Sequence, residues 1–175
     1  VRLCIWVPII TVLLTTLWIF VKQIYPTTRT HFRSYENFVK ATEWTCYAPN
    51  LPESAHDMRY YCYEGGFSDK NGYYAVLSKE DYEFIKQCRL DSYNLDFERT
   101  YHYDGINKVY LDRDRLKNLH VDYLDELLPE DKDNGTFYIL VDELLDDSIK
   151  VYHYEAVLCN DETCEVVEIS CRICH

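Results

Sequence analysis

A chain of 175 residues that is 47% apolar and carries 30 acidic against 18 basic residues, net charge −12, holds one ordinary domain plus whatever its termini add. So large an acidic excess repels phosphate backbones and excludes nucleic acid as a partner. It suits either a well-solvated surface or the recognition of a basic protein.

The first element is unmistakable in composition. Nineteen uncharged residues, LCIWVPIITVLLTTLWIFV, lie between Arg2 and Lys22. As a helix they reach about 28 Å, the thickness of a bilayer's hydrocarbon core. Trp6 and Trp18 stand near its ends, where indole rings favour the interface, and Pro8 falls in the first turns, where a missing donor costs little. A cleaved signal peptide would carry a shorter apolar core followed by small residues, whereas Lys22-Gln23-Ile24-Tyr25-Pro26 follows here. Residues 1–21 are therefore expected to be an uncleaved transmembrane anchor. Lys22, Arg29, Arg33 and Lys40 come after the span and only Arg2 before it, which by a literal count of positive charges leaves the domain in the cytoplasm. A single span behind a very short N-terminus more often acts as a signal-anchor that carries its domain outward. We expect a single-pass membrane protein with an extracytoplasmic domain.

Residues 22–34, polar, basic and interrupted by Pro26, read as a juxtamembrane stalk, and residues 35–175 as the globular domain. SYENFVKATEW suggests a short helix through Tyr35, Phe38 and Val39; YAPNLPESA is loop. DMRYYCYEGGFSDKNGYYAVLS contains two aromatic and β-branched runs, with Asn71-Gly72 as the expected hairpin turn. Ser78 followed three residues later by Asp81 marks a helix start, and Tyr82, Ile85 and Cys88 recur at helical spacing over 79–89. The order then repeats faintly: a hairpin around Asp104-Gly105, Asp112 as a cap, and helical turns through Leu116, Leu119 and VDYLDELL. These would be two ββα units. TFYILV, IKVYHYEAVLC and CEVVEISC complete the pattern as three strands. The expected fold class is α+β, a mainly antiparallel sheet with a few helices on one face.

The stretch LPESAHDMRYYCYEGGF followed by SKEDYEFIK resembles a group of membrane-anchored or exported proteins of low-GC Gram-positive bacteria. These carry a Leu-Pro-x-Ser-Ala stretch before a Tyr-rich strand, then a helix opening on an acidic-Asp-Tyr-Glu turn. The resemblance covers residues 50–88 directly. It implies an anchored bacterial protein and brings no activity, cofactor or catalytic residue with it.

The chemistry on offer concentrates at the C-terminal end. Cys171, Cys174 and His175 match the pattern by which c-type haem is attached, two thiols and a following imidazole. Their strand-like setting is unlike the helix start usual for such a site, and Met58 is the only methionine for an axial position. Cys159, Cys164, Cys171 and Cys174 form C-x4-C-x6-C-x2-C, but six strand residues span about 20 Å, too far for two pairs to share one zinc. NDET connects two strand runs, so Cys159 and Cys164 are expected to face each other across a hairpin mouth at about 4.5–5.5 Å between Cα atoms, within disulfide range. Cys62 and Cys88 are a further candidate pair, and the alternative for every cysteine is a small buried hydrophobe. His102 and His153 each sit in a Tyr-His-Tyr triplet and would meet at a metal only if their strands were neighbours. Glu130 to Gly135 imitates a calcium loop with Lys132 at a ligand position. No GxSxG, HExxH, phosphate loop or GxGxxG is present. The 17 tyrosines suit half-buried sheet positions or a recognition surface. These features lead us to expect a membrane-anchored, non-catalytic, acidic and Tyr-rich domain without cofactor or metal. It would bind a basic protein, for example as an immunity or inhibitor protein. A redox or haem protein using Cys171, Cys174 and His175 is the alternative.

Overall fold

The computed structural model of the chain describes residues 7–8, 10–17, 29–43, 49–65, 68–92, 101–102, 108–129, 135–147 and 151–174. Among them, seven strands form one antiparallel sheet: β1 (Arg29–Phe32), β2 (His56–Gly65), β3 (Ser68–Val76), β4 (Tyr101–His102), β5 (Tyr138–Asp147), β6 (Val151–Asn160) and β7 (Glu165–Cys174). Their spatial order is β1-β2-β3-β7-β6-β5-β4. Two meanders, β1-β2-β3 and β5-β6-β7, are joined where β3 pairs with β7 from Ser68↔Ile173 to Val76↔Glu165. The fold is α+β. Part of the segment read as stalk, Arg29–Phe32, is the first strand and pairs with β2.

Helices lie on both faces rather than on one. α1 (Tyr35–Thr42) and α2 (Lys79–Ser92) contribute Phe38 and Tyr82 to a first core over Met58, Tyr60, Tyr73, Val157 and Cys159. α3 (Arg113–Asn118) and α4 (Leu124–Leu127) contribute Leu116, Leu124 and Leu127 to a second over Tyr74, Ala156, Leu158, Val167 and Ile169. The reason is visible in β6. Tyr154, Ala156 and Leu158 enter one core while Val157 and Cys159 enter the other, so the strand is apolar on both sides and needs cover on both. The caps are those expected from sequence. Ser78 Oγ accepts from Asp81 N at 3.2 Å and donates to Asp81 Oδ2 at 2.8 Å, and Asp112 Oδ1 accepts from the amides of Asp114 and Arg115.

Register corrects one expectation and adds a feature that local pattern does not show. The β2–β3 hairpin closes on Gly65↔Ser68, and Asn71-Gly72 sits mid-strand opposite Cys62 and Tyr61. Gly72 answers a packing demand instead of a turn: a Cβ there would stand 2.6 Å from the Glu168 carbonyl oxygen and 2.8 Å from Leu127 Cδ1. The turn Asp104-Gly105 expected for the second hairpin lies outside the described residues. The residues described on either side of it, Tyr101, His102 and Tyr110, pair with β5, opposite Asp142, Val141 and Tyr138. Between Ile139↔Leu158 and Val141↔Val157, β5 carries a bulge at Leu140, which places Leu140 and Val141 in the first core and reverses the parity of every later residue.

Tyrosine is the main large residue of both cores, and its hydroxyls end on carboxylates. Tyr82 and Tyr138 donate to Asp161 Oδ1 at 2.7 and 2.8 Å, Tyr74 to Glu165 at 2.7 Å, Tyr73 to Glu168 at 3.2 Å and Tyr154 to Asp142 at 3.2 Å. Tyr123 reaches the carbonyls of Asn71 and Ser170 at 2.7 and 2.8 Å, fixing the approach to α4 on the β3–β7 seam. Asp161 also accepts from Lys86 at 2.9 Å and Lys108 at 2.6 Å. Partial burial works against its charge, but bonds from Lys108, Lys86, Tyr82 and Tyr138 outweigh it and hold the carboxyl well below its usual range.

Two tests follow from this network. Asp161→Asn is expected to lower stability by about 1–3 kcal/mol in denaturant titration, since several charge-assisted bonds are lost at a partly exposed site. Adding Lys86→Met should cost less than the two single losses summed, and strict additivity would show that the pair is uncoupled. Burial, reinforced for most of them by neighbouring carboxylates, raises the hydroxyl pKa of Tyr73, Tyr74, Tyr82, Tyr123, Tyr138 and Tyr154. Their stabilising contribution is therefore intact below the unfolded-state value near 10 and falls as pH climbs past it, by up to about 1.4 kcal/mol per unit for each. Tyrosinate absorbance should rise cooperatively, together with loss of circular dichroism; a smooth independent titration would contradict the network.

Candidate functional site

Of the three residues in the C-terminal Cys-x-x-Cys-His motif, the side chain of Cys171 is the one described. Cys171 is fully buried in the second core, its thiol 3.6 Å from the His120 carbonyl oxygen, and burial pushes its pKa up to about 11. Cys174 is the last residue of β7, opposite Val151, and His175 lies outside the described residues. Thioether formation with a haem vinyl group needs an accessible thiol, so Cys171 on a packed strand does not fit that group.

Cys159 and Cys164 are free thiols that do not face each other. The hairpin closes on Asn160↔Glu165, Cys159 opposes Val166, and Cys164 is the last residue of the turn in a left-handed conformation, φ 56°. Reading NDET as the whole connection misplaced the turn by one residue. Burial raises the Cys159 pKa to about 12. Cys62 is buried on β2 with its thiol 3.5 Å from Glu64 Oε1, and Cys88 is exposed on α2.

His102 and His153 lie on β4 and β6 with β5 between them, opposite Val141 and Leu145 respectively. Among the described residues no group of three or more His, Cys, Asp or Glu side chains could hold a metal ion.

Sequence reasoning missed a hydrogen-bonded cluster on the first-core face. Glu155 Oε1 is 3.0 Å from His153 Nε2 and 3.3 Å from Ser170 Oγ, which is itself 3.4 Å from the same nitrogen. The composition is that of a nucleophile relay, but its geometry is not. A relay needs the hydroxyl at one ring nitrogen and the carboxylate at the other, whereas here one nitrogen serves both. The hydrogen bond from His153 holds Glu155 below the ordinary carboxylate range, against the opposing effect of burial, so it stays anionic instead of acting as a base near neutrality. The cluster is a hydrogen-bonded, half-exposed patch of the sheet face.

The better-formed concavity lies on the other face. A cleft of about 470 Å³ opens between α3 and β5, with Asp142 and Tyr154 within it and Leu119 and Leu144 beside them. The Leu140 bulge creates it: with parity reversed, Asp142 and Leu144 pair opposite Ala156 and Tyr154 and so share the second-core face. Asp142 is 4% exposed and accepts from Arg115 at 2.7 Å and from Tyr154. Asp112 and Asp114, from the start of α3, line it as well. The one sequence signal was the acidic pair Asp142-Glu143 following the apolar run TFYILV, which reads as a strand end at Val141 while β5 continues to Asp147.

No protein-family model matches the chain, and no curated protein or solved structure matches it either.

Site-resolved alkylation tests the thiol assignments. Cys88 should react in the folded protein, and Cys62, Cys159 and Cys171 only once denaturant unfolds it, as read by peptide mass spectrometry. Early labelling of Cys171 would reopen the haem and redox chemistry.

Proposed function

We propose that the protein is a single-pass, membrane-anchored and non-catalytic binding domain, held outside the cytoplasm. Its acidic surface meets a basic protein partner in the manner of an immunity or inhibitor protein. The N-terminal segment carries this reading. Val7, Pro8 and residues 10–17 are helical, and Val7, Ile10, Val12, Leu13, Leu14 and Leu17 are each 51–63% exposed, with no core laid over them. The hydroxyls of Thr11, Thr15 and Thr16 donate to carbonyls of their own helix at 2.7–2.9 Å, so its threonines ask nothing of water. An apolar helix with internally satisfied hydroxyls suits lipid. Among the described residues no helix is long and apolar enough to cross a membrane; the rest of the uncharged stretch 3–21 lies outside them.

Two further observations support the binding half. Four carboxylates, Asp142, Asp161, Glu165 and Glu168, receive core tyrosines, whereas the chain carries 30 acidic residues against 18 basic and, among the described residues, Glu43, Glu53, Glu80, Glu83 and Glu162 are exposed. Among the described residues, Tyr60, Tyr73, Tyr74, Tyr82, Tyr123, Tyr138 and Tyr154 are buried as core. Recognition therefore falls to charge, which governs the encounter rate and its salt dependence.

The full-length chain should remain in the membrane fraction through an alkaline carbonate wash and be released by deletion of residues 2–21. A membrane-impermeant maleimide should label Cys88 in intact cells. Binding of the detergent-solubilised chain to immobilised polylysine should fall at least tenfold on adding about 0.5 M salt. A freely soluble full-length chain removes the anchor, and salt-indifferent binding removes the electrostatic partner.

A further inference from the structure

The preceding reading supplies a basic partner without a place for it, and the cleft over Asp142 provides that place. We propose that this cleft receives a basic side chain, arginine or lysine, from the protein partner. Three carboxylates, Asp112, Asp114 and Asp142, face one guanidinium, Arg115, so the lining carries a net negative charge. Leu119, Leu144 and Tyr154 give the wall an apolar surface on which the methylene stem of such a side chain can lie while its charged head reaches the carboxylates.

What the floor accepts is already on display. Arg115 Nη2 sits 2.7 Å from Asp142 Oδ2, and the Arg115 side chain is 44% exposed while that of Asp142 is 5%. The chain's own guanidinium thus occupies the mouth of the cleft from one side, bound at one end and wet at the other. An incoming guanidinium or ammonium either stacks against it and takes up the carboxylates of the α3 start, or displaces it toward Asp112 and Asp114. The volume of about 470 Å³ exceeds what one side chain needs, which leaves room for both.

The bulge at Leu140 gives a reason to regard this as a built site. Without it, Asp142 would fall on the first-core face, and with it the carboxylate lies under α3 beside Tyr154. Bulges of this kind re-aim side chains at binding sites. Burying Asp142 is offset by Tyr154 and Arg115, so the anion is held in place before any partner arrives.

The test uses the full chain in detergent micelles and a blocked tripeptide, acetyl-Gly-Arg-Gly-amide, with the citrulline peptide as neutral isostere. Backbone amide shifts of Asp114, Asn118, Leu119 and Leu144 should saturate with the arginine peptide, and the citrulline peptide should bind at least about tenfold more weakly. Leu119→Trp, which fills the mouth from the rim, and Asp114→Asn should each weaken binding several-fold without changing the thermal midpoint. Equal response to both peptides, shifts spread over the acidic surface, or indifference to Leu119→Trp would overturn the proposal. Concentration-dependent shifts at the same amides without peptide would also overturn it, because they would assign the cleft to a second copy. Salt-sensitive polylysine binding that survives Leu119→Trp defeats the cleft and leaves the basic partner standing. Saturable arginine binding at the cleft by a chain that ignores polylysine defeats that partner reading and leaves the site.

Discussion

A buried tyrosine hydroxyl must find an acceptor, and this protein meets that constraint mostly with carboxylates. A phenol left unpaired in a core costs more than the bond itself contributes, so each of these rings dictates where a partner must stand. The β6–β7 turn shows how far this reaches. Asp161 receives Tyr82 and Tyr138 from the first core, and Glu165, four residues on, receives Tyr74 from the second. Asn160 and Thr163 donate to Glu165 in turn, at 2.9 and 2.5 Å. One tight turn thereby ties α2, β3 and β5 to the end of the central hairpin. Acidity that reads from composition as solubility is, at these positions, internal structure.

The strand and helix inventory was legible because it depends on local pattern. Ser78 and Asp112 cap where hydroxyl and carboxylate precede helical periodicity, and the three C-terminal strands fall where β-branched runs predict them. Register was not legible, because it is settled by contacts far away in the chain. Asn71-Gly72 has the chemistry of a turn, yet Leu127 and the Glu168 carbonyl claim the space above Gly72 and draw it into a strand. The turn expected between Cys159 and Cys164 is shifted one residue along the chain, so it closes on Asn160↔Glu165 and takes Cys164 into itself. A shift of one position decides which face a thiol sees.

The cleft follows the same rule. Asp142, Arg115 and Tyr154 share no spacing that would mark them as a unit, and the single extra residue at Leu140 that brings them together leaves no trace in composition. Charge and the uncharged N-terminal run, by contrast, are bulk properties and read directly. Hence the acidic excess and the apolar run were accessible from sequence while the cleft was not.

The position of β7 has a consequence for how the chain is made. Residues 165–174 form the middle strand of the sheet, and Tyr74 must pair with Val167 across more than half the chain. Until that segment emerges from the ribosome, β3 has an open edge, Tyr73 and Tyr74 lack their acceptors on β7, and neither core can close. Such late, long-range pairing is slow and exposes a sticky intermediate. For a polypeptide made N-terminus first, maturation becomes a single closing event, triggered by arrival of β7.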